Sequence, residues 1–405
     1  MKCYICTNES LTKFLSLGHQ PPSDAFLRPE DLNKEEITYP LDLFFCATCA
    51  LVQLGYAVDP SLLFRDYVYT TGTNNALKAN FHELVEKIVA TYKLKKGDLA
   101  IDIGANDGTL LQNYLAHEVS ILGIDPSSVA QSAKEKGLPM IVDFFNKQVA
   151  EQATLKYGKA KIVTATNVFA HVVELDSFME GVTLLLDDKG VFISESAYIV
   201  DMVEQMLYDS IYHEHLRYYG LTPLAALFAR YDMEVIDVEH ISSHGGSIRV
   251  YAAKKGAHPI EERVVEMLRI EKANGYTGLE IYQKFAKRVV ETKFKLLEII
   301  FDLKKKGQHI VGIGAPAKGN TLLNYAKLDP DMIDYLTEKS QLKIGRFSPG
   351  VHIPVVDESR LFDEQPEAAL ILSWNIADEL IPKLRKLGYN GKFILPNPTP
   401  MISEK

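Results

Sequence analysis

From about residue 81 to residue 200 the apolar positions change period repeatedly along the chain. Phe81, Leu84, Val85, Ile88, Val89 and Tyr92 recur at spacings of three and four, which predicts an amphipathic leading helix over residues 81–95. Short apolar runs then alternate with helical patterns. LAIDIG is followed by a helix from Gly108, SILGIDP by a helix from Ser127, and LPMIVDFF and KIVTATNV each by a further helix, before GVFISESAY closes the series. Strands separated by helices imply a parallel, doubly wound α/β sheet.

On either side the pattern is different. From Cys49 to about Asn80, strand-like apolar residues give way to a polar, Tyr-rich loop. Residues 201–260 loosen into a His-rich stretch and then tighten into the strand-like runs EVIDVEHI and SIRVYAAK. Residues 260–306 carry apolar residues at helical spacing, broken at Asn274-Gly275, and predict two linking helices. After them QHIVGIGAPAKGNTLLNY begins a second strand-turn-helix unit, to which AALILSW and KFILP add strands. The expected division is a small module over 1–80, a catalytic α/β domain over 81–260, a helical linker over 261–306 and a second, smaller α/β domain over 307–405. A chain of 405 residues exceeds a single ordinary core and accommodates this.

All four cysteines fall in the first module, as Cys3-x-x-Cys6 and Cys46-x-x-Cys49. Two such knuckles facing each other supply the tetrahedral sulfur cage that Zn²⁺ prefers. Four protein sulfurs leave no position open for water, so the metal is expected to hold the module together without taking part in chemistry. Two disulfides are the alternative, which a reducing compartment disfavours. The N-terminus shows no apolar signal region and no run approaches bilayer length, so a cytoplasmic protein without membrane contact is expected. A net charge of −9 argues against a broad nucleic-acid footprint.

Four clusters carry candidate chemistry. Asp102-Ile-Gly104-Ala-Asn106-Asp107-Gly108 ends the first strand of the central domain, where glycines allow close backbone approach. It lacks the Lys-Ser/Thr of a phosphate loop and places carboxylates beside the turn, which suits an adenosyl ligand better than a pyrophosphate. Asp125, at the next strand end, is within reach of a ribose diol in this fold geometry. Tyr212-His213-Glu214-His215 is the densest titratable run, with His suited to proton abstraction, Glu to orienting an imidazole and Tyr to stabilising an oxyanion. Its two histidines at i and i+2 diverge on a regular strand, which disfavours a shared metal. His171, in NVFAHV, follows the fourth strand at the ligand edge. Gly312 to Asn320 forms a Gly-rich strand-to-helix turn whose amides, with Lys318 as counter-charge, suit a bound diphosphate.

Taken in order, the paired knuckles, the Y-x-Y-T-T-G-T loop at 67–73, the N-D-G turn, NVFAHV, IYHEHLRYY, HGGSIRVY, GAPAKGNTLLNY, SPGVHIPV and LSWN resemble the S-adenosylmethionine-dependent deoxysugar C-methyltransferase family, in particular the nucleotide-sugar 3-C-methyltransferases. The resemblance spans nearly the whole chain. It implies a Rossmann-like class I methyltransferase domain with an N-terminal zinc module and a second Rossmann-like C-terminal domain. It also implies S-adenosylmethionine and structural Zn²⁺ as cofactors, and methyl transfer to C3 of an NDP-4-keto-deoxysugar through an enolate. His215 matches the family base, Glu214 and Tyr212 its neighbours, and His171 a histidine near the sugar. Tyr67, Tyr69, Asp102, Gly104, Asn106, Asp107, Gly108, Asp125 and Asn167 are then expected at the cofactor. His244, Gly245, Lys318 and Asn320 are expected at the sugar nucleotide. Two departures stand out: SESAYIVDM lacks a proline common at that strand end, and GIDPS has Asp where Glu is usual. The competing expectations are O- or N-methylation of another metabolite and a non-catalytic sugar-nucleotide binder.

Overall fold

The computed structural model describes residues 1–64, 71–73 and 75–403. Its described strands form three sheets. The central one has seven strands, in the spatial order Met140–Ile141, Ser120–Ile124, Leu99–Ile103, Ala160–Thr166, Leu186–Ala197, Ser247–Lys254 and Met233–Ile241. The first five run parallel, and the last two add antiparallel. Leu99–Ile103 is buried along its whole length, as expected for a strand covered on both faces.

Local chemistry accounts for the helices between these strands. Asn75–Tyr92 is the leading helix, and it starts six residues before the periodicity suggested. Ser127 and Asn146 cap Ser128–Glu135 and Lys147–Tyr157 by accepting from the amides of Ala130 and Val149. The helix expected from Gly108 is instead a 3₁₀ segment, Leu111–His117. Asn113 donates from Nδ2 to the carbonyls of Thr109 and Leu110, offering the backbone a local alternative to α-helical bonding. The strand expected across LPMIVDFF shrinks to Met140–Ile141, a short edge strand of the kind that limits edge-to-edge pairing.

The second parallel sheet has the order Val355–Asp357, Leu336–Glu338, Ile310–Ile313, Ala368–Ile371 and Lys392–Leu395, with Met401–Ser403 added antiparallel. The long helix Leu279–Lys304 leads into it and buries Tyr282, Phe285, Val289, Thr292, Leu296, Ile300 and Leu303, a stripe of three-and-four spacing. Glu262–Ala273 precedes it, and the chain reverses at Gly275, whose φ of +83° is one that glycine adopts without penalty.

The third sheet is antiparallel and contains Leu11–Gln20, Tyr39–Cys46 and Val52–Leu54, plus a strand from the far side of the chain, Arg217–Tyr218. The knuckle loops and the strands of this module serve different cores. Cys3, Ile5, Cys49 and Leu51 pack with the interior of the central sheet. Leu15, Leu17, Leu43 and Phe45 pack with Tyr208, Tyr282, Phe285, Ile313 and Trp374. The cysteine module is thereby shared between both α/β units, and it contributes a strand partner to the segment that directly follows His215.

Candidate active site and zinc centre

The four cysteine sulfurs lie within 4.8 Å of one another. Cys3 and Cys49 are 3.5 Å apart, as are Cys6 and Cys46. Those separations are too long for disulfides, and near the roughly 3.8 Å that a tetrahedron of Zn–S bonds of about 2.3 Å requires. The donor set and its burial fit a closed zinc site, with Cys3, Cys46 and Cys49 buried.

At the first strand end of the central sheet, Gly104 has φ +75°, and a Cβ there would lie 2.1 Å from Cγ2 of Val168. Gly104→Ala is therefore expected to cost about 1–3 kcal/mol through backbone strain and steric conflict together. A lowered thermal midpoint with weakened S-adenosylmethionine binding would bear this out, and a wild-type melt would not.

The acidic residues around this turn organise it. Asp125 accepts from the Asn106 amide at 2.9 Å and from the Ser127 amide and hydroxyl at 2.8 and 2.5 Å. A carboxylate has about four acceptor positions, so three protein bonds leave one for a ribose hydroxyl. Asn106, at φ +51°, accepts the Thr71 amide on Oδ1, and Asp107 accepts the Gly72 amide, so both side chains anchor the end of the Y-x-Y-T-T-G-T loop over the turn. Tyr67 and Tyr69 lie outside the described residues. Asp102 points into the sheet, where Thr164 donates to it at 2.5 Å and burial pushes its carboxyl up to about 7. Its place is beneath the turn, not at its surface. Gly108, at φ +76°, packs against Leu138.

The next segment joins this turn to the histidines. Asn167, at φ +57°, donates its amide to Glu195 O, Val168 fills the space beside Gly104, and the 3₁₀ turn Phe169–His171 brings His171 to a ring-centroid distance of 5.0 Å from His215. Burial and the neighbouring His215 hold His171 well below the usual histidine range, so it is neutral near pH 7. The ring of Tyr212 lies 4.1 Å from that of His215. His215 Nδ1 is 2.9 Å from Ser210 O. A carbonyl only accepts, so Nδ1 carries the proton and the neutral ring has its lone pair on Nε2.

The H-E-H run lies on a turn closed by the His215 amide donating to Tyr212 O at 3.0 Å, not on the regular strand for which the i, i+2 spacing argues, and its two histidines still diverge. His213 turns to the cysteine module, donating to Tyr39 O at 3.3 Å, and burial pulls it down to about 4. His213, Glu214 and His171 nevertheless line one crevice with Val58, Pro60, Leu63, Val173 and Leu216. Burial raises the Glu214 carboxyl to about 8; the nearby charge of Asp24 adds to this, and that of Lys343 opposes it. Asp24 and Lys343 come from opposite ends of the chain and lie 3.3 Å apart.

The C-terminal turn departs from expectation in its detail. Its Ala315 amide already donates to Glu338, and Lys318 is held in a seam by Asn375, the ring of Trp374 and the charge of Asp209. Asn320, 1% exposed, is turned inward and donates to Ser23 O at 2.7 Å. Gly245 lies in the 3₁₀ turn Ser243–Gly245 at φ +89°, while the His244 side chain is outside the described residues. Asp209, which no sequence motif marks, is fully buried, accepts from Trp374 Nε1 at 2.6 Å and is pushed up to about 6 by burial. Ser210, Arg217 and Lys343 likewise carry no motif of their own. LSWN, which contains the chain's single tryptophan, was the available signal for the first of these contacts.

Three family models match successive parts of the chain. That of a zinc binding domain covers residues 3–64, that of a methyltransferase domain 73–238, and that of a C-methyltransferase C-terminal domain 242–398. The C-methyltransferase NovU of Streptomyces niveus is 31% identical over 404 residues, covering 99% of this chain and 96% of that protein. The chain belongs to the C-methyltransferase family. As a member it is an S-adenosylmethionine-dependent enzyme, and its cysteine cluster is the family's zinc site. Among solved structures, magnesium protoporphyrin IX methyltransferase (ChlM) of Synechocystis PCC 6803 with bound SAM shares 16% identity, covering 50% of this chain and 100% of that one, with a TM-score of 0.36. An S-adenosylmethionine-dependent methyltransferase of Clostridium acetobutylicum ATCC 824 shares 14%, covering 44% and 92%, with a TM-score of 0.35. No helix among the described residues is long and apolar enough to cross a membrane.

Proposed function

We propose that this C-methyltransferase methylates C3 of an NDP-4-keto-deoxysugar, with His215 as the general base. The observation that carries the reading is the bond from His215 Nδ1 to Ser210 O, which puts the basic lone pair of the neutral ring on Nε2, in a ring packed near those of His171 and Tyr212. A carbonyl at C4 acidifies the C3 hydrogen; His215 removes it, and the electron pair of the enolate attacks the methyl group. S-adenosylmethionine supplies that methyl as an electrophile. The enolate oxygen needs hydrogen-bond donors, and Tyr212 and Glu214 are suited to that part. The sugar nucleotide would extend from the crevice toward the seam at Lys318, with the HGG turn and Asn320 ordering its surroundings.

The test is mass spectrometry of the protein with S-adenosylmethionine and a panel of 4-keto-6-deoxy sugar nucleotides. A product heavier by one methylene, with the methyl at C3 by NMR and S-adenosylhomocysteine released, is expected. A methyl found on oxygen or nitrogen, or equal reaction of a sugar without an adjacent carbonyl, overturns the enolate chemistry.

Glu214 adds a pH prediction. With its carboxyl raised to about 8, it is a neutral hydrogen-bond donor at pH 7 and loses that proton as the pH passes 8. The rate is expected to fall across that interval in the wild type. In Glu214→Gln, whose amide still donates but cannot ionise, this alkaline fall should be absent. An identical profile for both proteins removes Glu214 from the donor role. The sign for stability is the same: a carboxyl that binds its proton more tightly when folded contributes stability at low pH that is lost as the pH rises toward 8.

A further inference from the structure

Arg217 is a guanidinium 1% exposed to solvent, held by backbone carbonyls, the Tyr219 hydroxyl and an aromatic face. It donates through Nη1 to Val172 O and through Nη2 to Val173 O, the latter at 3.2 Å. Its Cζ lies 4.2 Å from the centroid of the Tyr4 ring. Burying a charge is costly unless its surroundings replace water, so the two carbonyls and the ring face are required together.

Each of those partners belongs to a functional segment. Tyr4 sits inside the Cys3-x-x-Cys6 knuckle, whose backbone is fixed to Gln53: the Tyr4 amide donates to Gln53 Oε1 at 3.0 Å, and Gln53 Nε2 donates to Lys2 O at 3.1 Å. Gln53 is the strand partner of Arg217. Val172 and Val173 directly follow His171, and Arg217 is two residues beyond His215. Between them, the Leu216 amide donates to Ala170 O at 3.0 Å. The zinc knuckle, the His171 turn and the strand leaving His215 thus converge on one buried cation.

We infer that Arg217 is a positioning residue that couples the first cysteine knuckle to the His171–His215 pair, so that the zinc module sets the spacing of the two imidazoles. The inference rests on the proposed roles of those histidines for its effect on rate, but not for its effect on geometry. It gives the metal module a task beyond its own folding, because the ring stacked on Arg217 is held by the metal-binding loop.

The experiment uses full-length, zinc-loaded protein labelled with ¹⁵N-histidine, in which the imidazole shifts of His171 and His215 are assigned by single His→Asn variants. Tyr4→Leu fills similar volume without a π face, and Tyr4→Phe keeps the face without the hydroxyl. In Tyr4→Leu the shifts of both histidines are expected to move and kcat to fall about ten- to hundredfold, the scale on which small misplacements near a reacting centre act. The KM for S-adenosylmethionine and the zinc content should stay as in wild type, and Tyr4→Phe should restore both shifts and rate. Arg217→Lys, which keeps the charge but cannot span two carbonyls, is expected to move the His171 signal in the same way, and it decides the matter if Tyr4→Leu loses zinc. Wild-type shifts in Tyr4→Leu and Arg217→Lys overturn the inference, as does a Tyr4→Phe variant as impaired as Tyr4→Leu. Moved shifts with an unaltered rate uphold the coupling and overturn the catalytic role given to the histidines.

Discussion

Replacement of His215 by asparagine is expected to lower turnover by about 10²–10⁴-fold, the contribution typical of a positioned general base, while S-adenosylmethionine still binds. The described contacts separate the two functions. His215 is held by Ser210 O, next to Tyr212 and His171, whereas the turn proposed for the cofactor is built from Gly104, Asn106, Asp107 and Asp125 with Thr71 and Gly72 above it. Release of S-adenosylhomocysteine measures the first function, and calorimetric titration with S-adenosylmethionine the second. Retained turnover would mean that another group takes the C3 proton, with Tyr212 next in line. Lost cofactor affinity would mean that His215 has a binding task. His213→Asn provides the contrast: that ring is buried against Tyr39 O and neutral down to about pH 4, so its loss should act on stability and not on the base.

The parallel sheet and the paired cysteines were legible because both are written in local spacing. Alternation of apolar runs fixes the strands, and C-x-x-C fixes two ligands per turn. The H-E-H histidines also diverge, but on a turn and not on the regular strand for which their spacing argues, so local spacing does not account for their separation. Contacts made across the chain were not legible. Arg217 meets Tyr4 and Val172 through folding alone, and the carboxylate of Asp209 meets Lys318 and Trp374 across more than a hundred residues. Lys318 and Asn320 show the limit from the other side. Their turn has the composition of a phosphate cradle, yet Glu338 of the adjacent strand occupies one amide, and Asn320 is spent on Ser23 where the cysteine module packs against that turn. A motif specifies which groups are available; the neighbouring unit decides which of them face a ligand.

Cys46→Ser is expected to release the zinc and collapse part of the cysteine module. Cys46 is fully buried at the end of the strand Tyr39–Cys46, and its sulfur lies 3.5 Å from that of Cys6, so a serine hydroxyl there supplies a weaker ligand to a site with no other cysteine to recruit. Structural zinc contributes roughly 10–16 kcal/mol of apparent binding free energy in isolated zinc-finger peptides, where it is folding free energy. Here the apolar contacts of Leu15, Leu17, Leu43 and Phe45 with the rest of the protein retain part of the structure, so a partial collapse is expected in place of complete unfolding. Metal analysis should find less than one zinc per chain, and limited proteolysis should cut first within residues 1–54. The loss should then reach the catalytic segment, because Val52–Leu54 is the strand that pairs with Arg217–Tyr218. A Cys46→Ser protein that keeps a full zinc complement would overturn the four-sulfur cage. One that loses zinc while keeping wild-type turnover would show that the module folds for its own sake, and that the histidines are held in place by the central domain alone.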